Sequence, residues 1–260
     1  MNVTILSYNV RGLPWTRKFT HDICSWIGDL LPDVVLFQEV FSLGLRTIYQ
    51  VEMKAAGYDV FIPNDEAAFL SSGLVTAVRR GSSVIVLSAI FLPYMSYHNV
   101  EIFANKGAFF IHCLLDGKRL TIGNTHLQST TELSWLFGSG IMNEYRKKQL
   151  KQVAEFIRCY RWPVILGGDF NCEQSPYSHV KFVRPANSLR KSTFYETGED
   201  LDHIAWFPLQ YAAPKCTYCG IQRYGPKIKR CTIFEKPWSD HAPVLFRLWI
   251  PFIDKRLDTN

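Results

Sequence analysis

Five short apolar runs follow one another between residues 58 and 127, at 58–61, 73–79, 83–88, 108–115 and 119–127, with no helical period among them. A doubly wound parallel sheet needs a crossover connection of a dozen or more residues, usually a helix, between successive strands. This stretch holds none, so its strands must find mostly antiparallel partners. Helical patterns lie only on either side of it. Residues 3–9 (VTILSYN) alternate as a strand, and Thr20 is placed to cap a helix whose Ile23, Trp26, Ile27, Leu30 and Leu31 share one face. Pro32 stops that helix, and Val34 to Phe37 form a buried-strand run ending at Gln38-Glu39. Ser42 opens a second helix that closes before Gly57. Asn143 caps a third, with Leu150, Val153, Ala154 and Ile157 as its buried stripe. Val164-Ile165-Leu166 then runs into Gly167-Gly168-Asp169, and strands are expected near 202–207, 230–235 and 243–249. The expectation is an α+β fold: two sheets packed face to face with helices outside.

No linker, repeat or composition break divides the chain, so residues 1–260 read as one domain. A hydrophobic content of 47% is ample for its core, yet no stretch offers the roughly 20 apolar residues a membrane span needs. The opening MNVTILSYNVRG lacks the basic-then-apolar order of a signal peptide. Cys24, Cys113, Cys159, Cys172, Cys216, Cys219 and Cys231 are odd in number and lie mostly inside predicted elements, which fits a reduced cytoplasmic protein. Cys216, Cys219 and Cys231 could be three zinc thiolates, but no fourth ligand follows at finger-like spacing. A net charge of +6 favours an anionic partner: nucleic acid, phosphoinositide or an acidic membrane surface.

The polar residues that interrupt the apolar pattern are the informative ones. Asn9, Glu39, His126, Asp169 and Asp202 all stand at or beside an end of a strand run. Each alone is an ordinary turn former or solvated edge. Together they describe rigid strands delivering oxygen ligands to one rim. Mg²⁺ takes carboxylate, carboxamide and water oxygens, usually with only one or two protein carboxylates. Glu39 and Asp240 would supply charge and Asn9 a neutral oxygen. His126 and His241 add imidazoles that exchange protons near neutrality and, with a metal, can drive attack of water on a phosphate ester.

Six stretches, in order, carry a family resemblance: Ser7-Tyr8-Asn9-Val10-Arg11-Gly12, Phe37-Gln38-Glu39-Val40, Asn124-Thr125-His126-Leu127, Gly168-Asp169-Phe170-Asn171, Leu201-Asp202-His203-Ile204 and Ser239-Asp240-His241-Ala242-Pro243. In these the chain resembles the endonuclease/exonuclease/phosphatase superfamily, which includes deoxyribonucleases, inositol-polyphosphate 5-phosphatases and neutral sphingomyelinases. The resemblance implies a four-layer αββα sandwich of two mostly antiparallel sheets flanked by helices, with the site at the top of the sheets. It implies a phosphodiesterase using Mg²⁺, with Mn²⁺ as a substitute, and no obligate protein partner. Glu39 would be the principal metal ligand with Asn9 beside it, and Asp240 would assist the metal. Asp169 and Asn171 would position and activate the attacking water and hold the phosphate. His241 would be general base or transition-state stabiliser, oriented by Asp202, and His126 would bind a phosphate oxygen or protonate the leaving group.

The substrate is less legible. Arg11 stands where abasic-site enzymes carry an acidic residue, and Leu201-Asp202-His203-Ile204 replaces the Thr-Asp-Arg-Ile of inositol 5-phosphatases. Tyr8-Asn9-Val10-Arg11-Gly12-Leu13-Pro14, Asn105-Lys106-Gly107 and Thr125-His126-Leu127-Gln128 are closest to the neutral sphingomyelinase branch, where Lys106 would hold a substrate phosphate. Leu133-Ser134-Trp135-Leu136-Phe137-Gly138 is either a lipid-facing wedge or part of the core. Residues 211–238 interleave basic and aromatic side chains, suited to a phospholipid surface, to stacked nucleotides or to a plain solvated hairpin. A sphingomyelinase-like phospholipase C and a nuclease acting on DNA or RNA both remain open.

Overall fold

A computed structural model describes residues 1–12, 17–65, 70–98, 101, 103–130, 139–160, 162–183, 192–196, 198–207, 227–236 and 238–250. In chain order the elements are β1 (Asn2–Asn9), α1 (Thr20–Leu30), β2 (Val34–Gln38), α2 (Leu43–Ala55), β3 (Tyr58–Phe61), β4 (Val75–Arg79), β5 (Val84–Pro93), β6 (Gly107–Leu115) and β7 (Lys118–His126). There follow α3 (Ser139–Ile157), β8 (Val164–Asp169), β9 (Lys181–Val183), β10 (Asp202–Trp206), β11 (Lys227–Ile233) and β12 (Val244–Trp249).

The strands form two six-stranded sheets, in the orders β11-β12-β1-β2-β4-β3 and β5-β6-β7-β8-β10-β9. All neighbours are antiparallel except β1 with β2 and β7 with β8. Those two parallel pairs are the ones whose connections contain α1 and α3, because a parallel return needs a crossover.

Alternation along each strand sorts the side chains into layers. Ile5, Leu36, Val78, Phe246 and Leu248 of the first sheet meet Ile111, Leu120, Ile122, Ile165 and Ile204 of the second. The opposite parity, Leu6, Tyr8, Val35, Phe37 and Ala77, packs on Ile23 and Ile27 of α1 and on Tyr49 and Met53 of α2. Phe110, Leu166 and Ala205 take Leu150, Val153 and Ile157 of α3. The result is the four-layer αββα sandwich, in which each fully buried aliphatic side chain contributes about 1.5–3 kcal/mol over an exposed one. One polar bridge crosses the inter-sheet core. Gln38 Nε2 donates to Asn124 Oδ1 (2.8 Å), and Asn124 Nδ2 donates to the carbonyls of Phe37 (2.9 Å) and Val75 (3.1 Å). With both amides wholly buried, this bridge fixes one sheet against the other directly beneath the rim.

Several boundaries differ from the sequence expectation. A 3₁₀ turn at Arg17–Phe19 feeds α1, so Phe19 takes the cap position without a side-chain bond and Thr20 is already helical. The helix closes at a left-handed Leu31 (φ 55°), immediately before Pro32. Ser42 does cap α2, its Oγ accepting from Leu45 N at 3.1 Å. Helix α3 starts at Ser139, leaving Asn143 a turn inside, where its Oδ1 accepts from Arg146 Nη1. Strand β5 continues to Pro93 through a register shift between Val86 and Ser88, and the short edge strand β9 was not anticipated. Among the described residues no helix is long and apolar enough to cross a membrane.

Candidate active site

The two parallel pairs point four strand ends the same way. Asn9 ends β1, Glu39 follows β2, His126 ends β7 and Asp169 ends β8, where His126 and Asp169 are register partners. Asp202 opens β10 opposite Asp169. His241 precedes β12, which runs antiparallel to β1 and so begins at the same rim.

Asp169 is the hub. Its side chain is 1% exposed, and its Oδ2 accepts from Asn9 Nδ2 at 2.9 Å and lies 3.6 Å from Nε2 of both His126 and His241. Its Oδ1 accepts from Asn171 N at 2.8 Å. Burial alone would raise its pKa, but the two imidazoles, the Asn9 amide and the Asn171 N–H hold it below the usual carboxylate value. Asn9 Nδ2 also donates to Glu39 Oε1 at 2.9 Å, while Asn9 Oδ1 accepts from Arg11 N. Asn9 therefore bridges the two carboxylates as a donor, and would present its oxygen to an ion only with the amide turned over. Protein crowds Glu39 on nearly every side and raises its pKa, yet 22% of the side chain opens onto solvent. Gly12 belongs to this packing, since a Cβ there would lie 1.9 Å from the Glu39 carbonyl oxygen.

The two histidines are held in opposite charge states. His241 Nδ1 donates to Asp202 Oδ2 at 2.9 Å, and the ring lies 4.9 Å from that of Phe194. Burial opposes charge on His241, but Asp202 and Asp169 outweigh it and lift the pKa to about 10, so the proton resides on the imidazole. His126 goes the other way: burial, with Lys106 adding to it, lowers its pKa to about 3. Lys106 directs its protons inward, to Glu101 Oε1 (2.6 Å), to the Leu127 carbonyl (2.9 Å) and toward His126 Nε2 (3.3 Å). It acts on the site through His126, since its side chain is only 3% exposed. The neutral ring then carries its proton on Nδ1, which is buried without a partner among the described residues.

The remaining expected residues lie at the edge. Asn171 (φ 51°) donates from Nδ2 to the Leu127 carbonyl at 3.2 Å. Asp240 turns to Arg11, 3.1 Å from Nη1, and Arg11 also reaches Glu196 at 3.3 Å. Arg11, Glu101 and Phe194 were not singled out from sequence as site components. Glu101 lies five residues before Lys106 in a segment without regular period, and no spacing rule pairs them. Trp135 and Phe137, like most of residues 211–238, lie outside the described residues, as do Cys216, Cys219 and the thiol of Cys231. The described Cys24, Cys113, Cys159 and Cys172 are free thiols.

Among the described residues no three His, Cys, Asp or Glu side chains gather closely enough to cage a metal by themselves. Mg²⁺ needs no such cage, since it keeps most of its waters and takes one or two carboxylates. Glu39 fits such an ion: a carboxylate whose charge burial disfavours, beside the Asp169 carboxylate, with one edge open.

Residues 6–241 match the sequence profile of the Endonuclease/Exonuclease/phosphatase family. The chain belongs to this family. Hydrolysis of phosphate esters is thus its class of chemistry. No curated protein matches the chain in sequence. Solved structures do match in fold. A mutant beta toxin from Staphylococcus aureus with bound magnesium ions is 16% identical, with a TM-score of 0.72 over 96% of this chain and 100% of that one. Sphingomyelinase C from Streptomyces griseocarneus is 16% identical, with a TM-score of 0.69 over 95% and 99%. TDP2 from D. rerio, complexed with a single-strand DNA product, is 19% identical, with a TM-score of 0.65 over 95% and 98%. At such identities the likeness concerns the family's fold alone.

The His241–Asp202 contact makes a direct prediction for the metal-free protein. A folded-state pKa above the unfolded 6.5 contributes stability that is complete below pH 6.5 and lost as pH rises through about 10. Asp202→Asn should lower the His241 pKa by more than about one unit, read from its imidazole resonances by NMR. An unchanged titration would remove Asp202 as the source of the charge.

Proposed function

We propose that this protein is a Mg²⁺-dependent phosphodiesterase acting on a phospholipid of the sphingomyelin type by phospholipase C chemistry. The observation that carries the hydrolytic reading is the convergence on Asp169 Oδ2 of Asn9 at 2.9 Å and both imidazoles at 3.6 Å, with Glu39 next to it. Glu39 would hold the ion, and Mg²⁺ would supply a positive charge to offset that building on the phosphate oxygens. Asp169, kept ionised, would take the proton of the attacking water as the bond from phosphorus to the leaving alcohol oxygen breaks, that oxygen taking its proton from solvent, and Asn171 sets the direction of the carboxylate. His241 carries its proton already, so it serves as a fixed cation facing the pentacoordinate phosphorus rather than as the base. Asp202 keeps it charged and oriented. His126, neutral and backed by Lys106, walls the opposite side of Asp169 and fixes where the phosphate is seated. Asn9 spaces the two carboxylates, and Asp240 with Arg11 closes the rim.

Two features favour a lipid. The Asn9-to-Pro14, Lys106-Gly107 and Thr125-to-Gln128 stretches resemble those of the sphingomyelinase branch, and sphingomyelinase C is similar in fold. The segment beside the site also exposes apolar groups. Met95 is 84% exposed and Tyr97 41%, and this segment joins the site through Tyr94 Oη to Thr125 Oγ1 (2.6 Å) and His98 N to Gln128 Oε1 (2.8 Å). Such groups suit a headgroup boundary. Free thiols and this rim are consistent with a cytoplasmic protein peripheral to membranes. The second reading, a nuclease, is favoured by the likeness to TDP2 holding a DNA product.

A panel of labelled sphingomyelin vesicles, single- and double-stranded DNA, RNA and inositol phosphates in Mg²⁺ decides between them. Cleavage of the vesicles, abolished by EDTA, is expected; cleavage of DNA alone would establish the nuclease instead, and inertness toward every diester would end the hydrolytic reading. His241→Ala should lower kcat at least about 100-fold with the fold intact. Replacing Met95 and Tyr97 by Ser should weaken vesicle binding while leaving hydrolysis of a soluble diester unchanged; vesicle binding equal to that of the parent chain would discard the rim as the contact.

A further inference from the structure

Glu39 sits in a backbone conformation that an L residue with a long side chain seldom adopts, with φ at 65°. A left-handed residue at a strand end persists only when its surroundings enforce it. Two glycines make the room. Gly12 lies under the Glu39 carbonyl, and Gly73 (φ 74°) approaches so closely that a Cβ would come within 3.1 Å of Glu39 Cα. Space permits the conformation; it does not hold it.

The holding comes from the next residue. Val40 N donates to Gly73 O at 2.9 Å, and the Val40 carbonyl accepts from Arg46 Nε at 3.3 Å. Arg46 reaches back from the first turns of α2 and spends its other groups nearby. Nη1 and Nη2 donate to Oδ1 and Oδ2 of Asp65 at 2.6 and 2.8 Å, and Nη2 donates also to Ser72 Oγ at 3.1 Å. Asp65 Oδ2 accepts from Ser72 N at 2.6 Å, which ties down the segment that carries Gly73. The two ends of the pair are 5% and 1% exposed, so neither is available to substrate. A fork-shaped pair of this kind fixes direction as well as distance. Its net stabilising effect is small, because desolvation offsets the attraction. Geometry is therefore its main product.

We propose that the buried Arg46–Asp65 pair, braced by Ser72, is the device that holds Glu39 in its left-handed conformation, making Arg46 and Asp65 positioning residues for the carboxylate at the metal site. The link to the metal rests on Glu39 being its ligand; the link to the backbone does not. Sequence gave no warning of either partner, since Arg46 lies within an amphipathic helix and Asp65 in a connecting loop.

Arg46→Lys keeps the charge and removes the fork. Amide hydrogen exchange at Val40 should accelerate at least about 10-fold in this variant, and by more than the loss of global stability read from urea unfolding accounts for. Mg²⁺ affinity by calorimetry should fall at least about 10-fold, with kcat recovering at saturating Mg²⁺. Unchanged exchange at Val40 in a folded Arg46→Lys chain overturns the proposal. Faster exchange in a chain whose parent binds no Mg²⁺ keeps the positioning device and instead removes Glu39 as a metal ligand. Should Arg46→Lys fail to fold, Ser72→Ala removes the brace alone and should still speed Val40 exchange about threefold or more; no acceleration there also overturns the proposal.

Discussion

The site depends on two parallel strand pairs, β1 with β2 and β7 with β8, facing each other across the inter-sheet core. Every other pairing in the two sheets is antiparallel and would send neighbouring strand ends in opposite directions. The helical crossovers α1 and α3 make the exceptions, and so align the carboxyl ends that carry Asn9, Glu39, His126 and Asp169. The Gln38–Asn124 bridge then locks the sheets together one residue below Glu39 and two below His126. A shift of one sheet against the other would break three buried hydrogen bonds to these amides, each costly to leave unmade.

Placing so many ionisable groups on one rim raises a charge problem, which local pairing solves. Asp169 stays ionised because two imidazoles and two N–H groups face it. His241 takes its proton from the proximity of two carboxylates, while His126, deeper and beside Lys106, is kept neutral. Identical side chains thus serve as a cation and as a neutral ring within one small volume, and the difference lies wholly in their neighbours. Glu39 is the exception, since burial disfavours its charge and, among the described residues, the Asn9 amide is its one side-chain hydrogen-bond donor. A divalent cation answers that imbalance, which is the physical reason to expect one there.

Much of this was legible in the sequence. Alternating and continuous apolar runs found the long strands, and the helix-free middle of the chain excluded a doubly wound sheet. The polar residues at strand ends pointed to the cluster that the fold gathers, because little else puts Asn9, Glu39, His126 and Asp169 at the ends of runs that are otherwise apolar. What stayed hidden was tertiary. Thr20 and Asn143 look like caps, but a 3₁₀ turn and an early start to α3 place both inside helices. His241 reads as a general base or a transition-state stabiliser, and only its contacts with Asp202 and Asp169 favour the second. Lys106 reads as a phosphate ligand, and only the position of Glu101 shows where its protons go. The clamp of Arg46 and Asp65 joins a helix to a loop 19 residues away, a pairing no local pattern encodes.

The chemistry proposed for the rim turns on a divalent ion at Glu39. Anomalous diffraction from a crystal soaked in Mn²⁺ tests that most directly. A peak within about 2.3 Å of a Glu39 carboxylate oxygen, on the side facing Asp169, is the expected result. Strong Mn²⁺ peaks elsewhere, with none at Glu39, would contradict it.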